Sequence, residues 1–276
     1  MEMKKKKSGK KPRIVKKPYL IGAPVDGSTV KGALGLFGVM IAMAILFLLL
    51  GAVFMFENTM LRLAANGVVM AVVYMMFYSA GSGVGAGAVN HGEIMYNRRE
   101  TGREVTDREL ARCYHPLKGF IAGLLGVAPV LVCAVILAMV TRRQMSGIGA
   151  MPSWTNGLTN NVEFGAAVAF YSVGEPFDLE TVMRMIVRMS MMPIVNIFNA
   201  SDADAMLLME RLSPVFALLP AVSYGLGYTR GVDVRTRVHT DIAHSKRKRA
   251  RKANAAANKP ARTQQTRVRK GPEQLN

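Results

Sequence analysis

A 24-residue stretch with no charged side chain, Ala33 to Phe56, limits this chain more than any other feature of its sequence. As an α-helix it would rise 1.5 Å per residue and extend roughly 36 Å, enough to cross a hydrocarbon core of about 30 Å. The stretch is too long for the apolar region of a cleaved signal peptide, and a cationic segment precedes it. It therefore predicts a transmembrane helix that stays attached to the protein.

Three further apolar stretches follow, and half of all residues in the chain are hydrophobic. The second and third are free of charge. The fourth contains Pro214 and Pro220, and it reaches a spanning length only if it includes Glu210 and Arg211 near its outer end. We therefore predict an all-α, multi-pass bundle of four transmembrane helices. The predicted spans are residues 33–56, 63–89, 119–141 and 206–229.

The basic residues predict how these helices are oriented. Residues 1–31 hold ten basic and two acidic side chains, and residues 229–276 hold fourteen basic and three acidic, so the two ends hold the whole excess of positive charge. Cytoplasmic segments of membrane proteins are enriched in Lys and Arg. Both termini and the 90–118 loop, with six basic residues, are therefore predicted to be cytoplasmic. The expected location is a cell membrane, typically a bacterial inner or plasma membrane.

The same distribution divides the chain into three regions. Residues 1–31 are expected to form a cytoplasmic polybasic tail, and residues 32–229 form the four-span membrane domain. Residues 230–276 are expected to form a second cytoplasmic polybasic tail that is disordered. Within the membrane domain, residues 144–205 make up the predicted outer loop.

Residues 179–198 of this loop have two interpretations. In a helix, Glu180, Arg184 and Arg188 would share one side, and apolar residues would lie elsewhere. Two arginines at the centre of a fifth span would each cost roughly 2.5–3.5 kcal/mol. We therefore favour an amphipathic surface helix on the outer face of the membrane, with its polar stripe toward water and an i,i+4 pair between Glu180 and Arg184.

Small residues recur at helical spacing in three of the predicted spans. In lipid, helices associate through close backbone approach and dispersion, which small residues allow. These positions are predicted to pack helices within the bundle, and a homo-oligomer or a glycine-lined pore is the alternative. They are Gly81, Gly85, Gly119, Gly123, Ser213, Ala217, Ala221 and Gly225.

The sequence predicts no catalytic site, metal site or cofactor. The three long apolar spans contain no Asp, Glu, His, Lys or Arg, although proton relays and ion-coupled carriers usually need one. The four histidines form no HExxH or Cys/His pattern, and the two cysteines are interpreted as reduced thiols. Gly83, Gly85 and Ala88 match a loose dinucleotide-binding spacing, but an apolar helix precedes them instead of a strand. We therefore expect no enzyme activity.

The polybasic tails are the most concrete interaction surfaces in the sequence. Each basic residue near an anionic leaflet contributes about 1 kcal/mol, so the tails are predicted to bind anionic lipid head groups; a solvated segment that only sets topology is the alternative. Nucleic acid is disfavoured as a partner because no Phe, Tyr or Trp follows Tyr228 for base stacking. The predicted lipid contacts are Lys4, Lys5, Lys6, Lys7, Lys10, Lys11, Lys246, Arg247, Lys248 and Arg249.

These features favour a non-enzymatic bundle that scaffolds a membrane assembly or is one of its subunits, as a homo-oligomer or hetero-oligomer in the lipid bilayer. A small transporter or channel is the alternative, and its helices would break at Pro129 and Pro220. No similarity between the two halves of the sequence supports this alternative.

Overall fold

The computed structural model describes residues 14–54, 56, 58–141, 179–198 and 203–257. These residues belong to two compact units. We call Pro18–Arg235 the bundle unit, and we call residues 14–17 with residues 236–257 the terminal unit. The first part of the predicted outer loop, residues 144–178, and the N-terminal lysines up to Lys11 lie outside the described residues.

Every regular element in the described residues is a helix, which confirms the all-α class. The helices are α1 (Gly27–Leu50), α2 (Thr59–Glu100), α3 (Asp107–Ala111), α4 (Lys118–Val140), α5 (Leu179–Ser190), α6 (Met192–Phe198), α7 (Ala203–Thr229) and α8 (Gly231–Ala257). A short 3-10 helix, Gly51–Phe54, follows α1. As predicted, four segments are long and apolar enough to cross a membrane, and they contain α1, α2, α4 and α7.

Two helices differ most from the predicted bounds. α2 continues to Glu100, past the predicted end of the span at residue 89, and ends where Gly102 adopts a left-handed conformation with φ of 72°. α8 occupies much of the tail that is predicted from its charge to be disordered, so that prediction is wrong for residues 231–257. The reason is local: this segment has no proline, no glycine after Gly231, and many Ala, Arg and Lys residues, which are strong helix formers.

The central helix of the bundle unit is α7. It packs along α4, to which it is antiparallel, and along α2, to which it is parallel. α1 packs mainly on α4, so the sequence neighbours α1 and α2 are not the closest neighbours in space. The core between these four helices includes Phe77, Val127 and Tyr224, all of them buried.

Part of the predicted N-terminal tail belongs to the bundle unit. The Leu20 N–H donates to the Gly92 carbonyl oxygen (3.2 Å), and the Gly22 N–H donates to the Tyr114 carbonyl oxygen (3.0 Å). A Cβ on Gly22 would lie 2.5 Å from the Cys113 carbonyl oxygen, so a larger residue cannot occupy this position without a shift. Residues 18–26 therefore bind the bundle as an extended segment.

Asp26 joins this segment to α1 and α4. Its carboxylate accepts hydrogen bonds from the Thr29 N–H (3.0 Å) and the Thr29 hydroxyl (2.7 Å), and it thereby caps α1. It also pairs with the Lys118 ammonium at 3.2 Å, where the two side chains are 8% and 5% exposed. Burial alone would raise the pKa of Asp26, but hydrogen bonds from Thr29, Ser28 and Lys118 outweigh burial and lower the pKa to about 2.

Replacing Asp26 with Asn should therefore lower the free energy of unfolding by about 2 kcal/mol at neutral pH, because one pKa unit corresponds to about 1.36 kcal/mol. The carboxylate stabilises the fold only while it is ionised, so the difference from wild type should persist above about pH 4 and shrink as the pH falls toward 2. Denaturation series in mild detergent at several pH values measure this difference.

Asp233→Asn is the matched control for this measurement. It removes an exposed carboxylate that pairs with Arg230 at 3.4 Å, and it should change stability by less than about 1 kcal/mol. A loss in Asp26→Asn that does not depend on pH would contradict the assigned role of the carboxylate.

Candidate functional site

The small residues of α2 lie where that helix contacts α7. A Cβ on Gly81 would overlap the main-chain oxygen of Tyr224, and a Cβ on Gly85 would overlap the main-chain oxygen of Tyr228. The two backbones are therefore in direct contact at successive turns. Such an approach is possible only because glycine has no side chain.

The small residues of α4 lie at the second contact of α7. Gly119 lies against the Tyr228 side chain, and Gly123 lies against the main chain of Ala221, whose carbonyl oxygen would be 2.8 Å from a Cβ on Gly123. Gly225 of α7 accommodates a phenylalanine ring of α4 in the same way. Along this interface, each of the two helices therefore packs a glycine against an aromatic ring of the other helix.

The remaining members of the α7 stripe are buried inside this chain. Ser213 is 0% exposed, Ala217 is 1% exposed and Ala221 is 2% exposed. The Ser213 hydroxyl donates to the Glu210 carbonyl oxygen (2.7 Å) and to the Ala134 carbonyl oxygen of α4 (3.4 Å). All eight residues predicted to pack helices therefore lie at contacts within this one chain.

A buried network of charged side chains lies near the start of α7. Glu210 is 1% exposed and accepts hydrogen bonds from Arg184 Nε (3.0 Å) and Arg188 Nη2 (2.6 Å) at the same carboxylate oxygen. The Thr141 hydroxyl, which follows α4, donates to the other oxygen. Glu180 pairs with Arg184 at 2.6 Å, which confirms the predicted i,i+4 pair. We call these five residues the Glu210 network; they join the end of α4 to α5 and α7.

The prediction of one surface helix over residues 179–198 with its polar stripe toward water is wrong in two respects. The chain forms α5 and α6 there, with an angle of 94° between them. Arg184 is 5% exposed and points to Glu210 of α7, so the polar side of α5 faces the protein interior. A buried carboxylate gives the arginines a fixed partner, and this outweighs their attraction to water.

One signal in the sequence could have revealed this network. Glu210 is a carboxylate inside a predicted span, and such a residue almost always has a charged partner. The hydropathy pattern places Glu210 at the membrane surface. In that position Glu210 could not be the partner of the arginines in residues 179–198. Which of the available arginines Glu210 binds depends on how α5 packs and cannot be read from spacing.

A second polar contact joins α6 to α2. The Asn196 amide donates to the Gly51 carbonyl oxygen (3.1 Å) and to the Asn66 side-chain oxygen (3.3 Å), and the Asn66 amide donates to the Phe54 carbonyl oxygen (3.1 Å). Both asparagines are buried, at 2% and 1% exposed. Among the described residues, the side-chain oxygen of Asn196 has no hydrogen-bond partner.

The predicted lipid contacts divide into two groups. Lys246, Arg247, Lys248 and Arg249 are exposed on α8, and the 100° rotation per helical residue points them in four directions. The six N-terminal lysines, from Lys4 to Lys11, lie outside the described residues. The described cationic surface over residues 246–249 is therefore a helical segment with charge around its circumference.

The described residues offer little reactive chemistry. No group of three or more His, Cys, Asp or Glu side chains in the described ranges could hold a metal ion. Cys113 is fully buried, and this burial raises the pKa of its thiol. A cavity of about 310 Å³ between α1, α4 and α5 is lined by apolar side chains such as Phe37, Ile41 and Met189.

Comparison with protein-family models, with curated proteins and with solved structures gives no match for this chain.

Replacing Glu210 with Gln should lower the free energy of unfolding by about 3–5 kcal/mol, because it removes the negative charge that two buried arginines share. The neighbouring exposed residue supplies the control: Arg211→Gln should change stability by no more than about 0.5 kcal/mol. Thermal melting of both variants in mild detergent gives the comparison. Equal stability of Glu210→Gln and wild type would mean that the network does not hold α5 against α7.

Replacing Ala221 with Leu should destabilise the bundle by about 1–3 kcal/mol, since extra methylenes in a filled contact displace the backbone of α4. Val222 is adjacent but 44% exposed, so Val222→Ile should have a much smaller effect. The same melting assay applies. Equal tolerance of both substitutions would show that Ala221 does not pack against α4.

Proposed function

We propose that this protein is a non-enzymatic membrane scaffold, as a homo-oligomer or a subunit of a larger membrane assembly, whose cationic termini contact anionic lipid head groups. The observation that carries the proposal is the division of charge along the chain. Residues 18–235 hold 15 basic and 15 acidic side chains, whereas residues 1–17 and 236–276 together hold 21 basic and 3 acidic. The bundle unit is therefore neutral, and the entire net charge of +18 belongs to the terminal segments.

The neutral bundle supports a structural role. Its buried carboxylates have fixed cationic partners: Glu210 pairs with two arginines, Asp26 with Lys118, and Glu93 with an arginine at 3.1 Å. A carboxylate held by a fixed cationic partner is a poor proton relay, because protonating the carboxylate would leave the partner's charge buried and uncompensated. Such pairs instead stabilise one arrangement of the helices.

The terminal segments supply the contact with the membrane surface. With both termini on the cytoplasmic side of a cell membrane, their lysines and arginines face the leaflet that carries anionic lipid. The contacts are Lys246, Arg247, Lys248 and Arg249 on α8 together with the N-terminal lysines. The described basic residues among them are exposed, which favours binding by charge alone.

A transporter or channel is the second candidate, and the bent helix pair favours it. α5 and α6 together have the length and composition of a broken span or a re-entrant loop, and membrane transporters place their binding sites at such breaks. The buried pair of Asn66 and Asn196 joins α6 of this bent pair to α2, and it would offer amide and carbonyl oxygens to a polar substrate or ion.

Cross-linking in the native membrane followed by solubilisation in mild detergent tests the first candidate. A scaffold should appear as one discrete species larger than the monomer, made of several copies of this chain or of this chain with fixed partners. The second candidate predicts a monomer that moves ions or solutes across liposomes and loses this flux on Asn196→Leu. The matched Leu208→Ala variant, an exposed position on α7, should leave either result unchanged. A monomer with such flux would refute the scaffold.

A further inference from the structure

The terminal unit joins residues 14–17 to α8. The Val15 N–H donates to the Thr240 hydroxyl oxygen (3.2 Å), and the same hydroxyl donates to the Thr236 carbonyl oxygen (2.8 Å) within α8. Residues 14–17 have no regular secondary structure and belong to the same compact unit as residues 236–257. Segments that are more than two hundred residues apart in sequence therefore meet in one unit.

This unit brings like charges together. Lys16 and Lys17 follow Val15 directly, and all lysine and arginine side chains of the described terminal unit are exposed. Asp241 is the only acidic residue among residues 14–17 and 236–257. The exposed basic residues are Lys16, Lys17, Arg237, Lys246, Arg247, Lys248, Arg249, Arg251 and Lys252. Their mutual repulsion destabilises the unit, and a bound polyanion would relieve it.

We propose that the two chain ends form one binding surface for the phosphate groups of an anionic leaflet, coupled through the Val15–Thr240 hydrogen bond. This inference rests on the lipid contact in the proposed function and adds that the two basic segments bind together. Once one segment is held at the leaflet, the other is present at a high effective concentration. Each segment should therefore bind more tightly when the other is intact, and Thr240 acts as a positioning residue.

Two observations favour lipid over nucleic acid as the polyanion. The described terminal unit contains no Phe, Tyr or Trp on which bases could stack. The same chain carries four helices long and apolar enough to cross a membrane, so lipid phosphates would be present at high concentration wherever those helices are inserted. A ring of charge on α8 needs no defined ligand shape, which fits a leaflet whose head groups diffuse.

The test uses the full-length protein in nanodiscs that contain either phosphatidylcholine alone or phosphatidylcholine with phosphatidylglycerol. The rate of limited trypsin cleavage after the basic residues at 246–252 reports how well they are covered. Wild type should be cleaved more slowly in the anionic discs, and high salt should remove the protection. Lys16→Gln with Lys17→Gln should reduce this protection by about fivefold or more, since each basic residue contributes about 1 kcal/mol.

Two further variants separate coupling from charge. Lys31→Gln with Arg103→Gln removes two exposed charges from the bundle unit and should leave protection at 246–252 unchanged. Thr240→Val keeps all charges but removes the hydroxyl that accepts the hydrogen bond from Val15. It should therefore reduce protection, as Lys16→Gln with Lys17→Gln does.

The outcomes distinguish this inference from the proposal on which it rests. If wild type is protected in anionic discs and neither Lys16→Gln with Lys17→Gln nor Thr240→Val changes the protection, the ends bind independently and the inference is wrong, while the lipid contact stands. If wild type shows no protection by anionic lipid, the proposed lipid contact itself fails. Protection that appears only when RNA is added to neutral discs would assign the surface to nucleic acid and overturn the inference.

Discussion

The backbone contact of α7 with α2 and α4 is the constraint on which the rest of the bundle depends. At Gly81 and Gly85 the main chains of α2 and α7 touch, and at Gly123 the main chain of α7 lies against α4. Because helices in lipid gain little from burying apolar area, such contacts supply dispersion that longer side chains would prevent. They fix α7 as the central helix, and the other helices pack around it.

The position of α7 determines which charges can be buried. Glu210 lies one turn before Ser213, whose hydroxyl reaches α4, so its carboxylate points to the end of α4 and to α5. Two arginines and a threonine surround that carboxylate. Removing water from these charges is expensive, and the pairing compensates only because several donors converge on Glu210. The network therefore holds α5 against the bundle in one arrangement.

The charges of the terminal unit differ from the buried and paired charges of the Glu210 network. Its basic side chains are exposed, and few acidic residues lie among them. The bundle unit has equal numbers of basic and acidic side chains, and the terminal segments carry all of the net charge. A chain with this division has one part suited to packing in lipid and another suited to binding an external polyanion. Val15 and Thr240 matter because their hydrogen bond joins residues 14–17 to α8 within that second part.

The helical class, the four long apolar helices and the i,i+4 pair of Glu180 and Arg184 can all be predicted from the sequence, because each depends on composition or helical geometry within one segment. Three other features cannot be predicted from the sequence, because each depends on a partner far away in the chain. They are the buried side of α5, the packing of α1 on α4 and the contact of Val15 with Thr240. Glu210 shows the physical reason most clearly. A charged stripe on a helix has the same pattern whether it faces water or a buried carboxylate, so only the location of that carboxylate determines the direction in which Arg184 points.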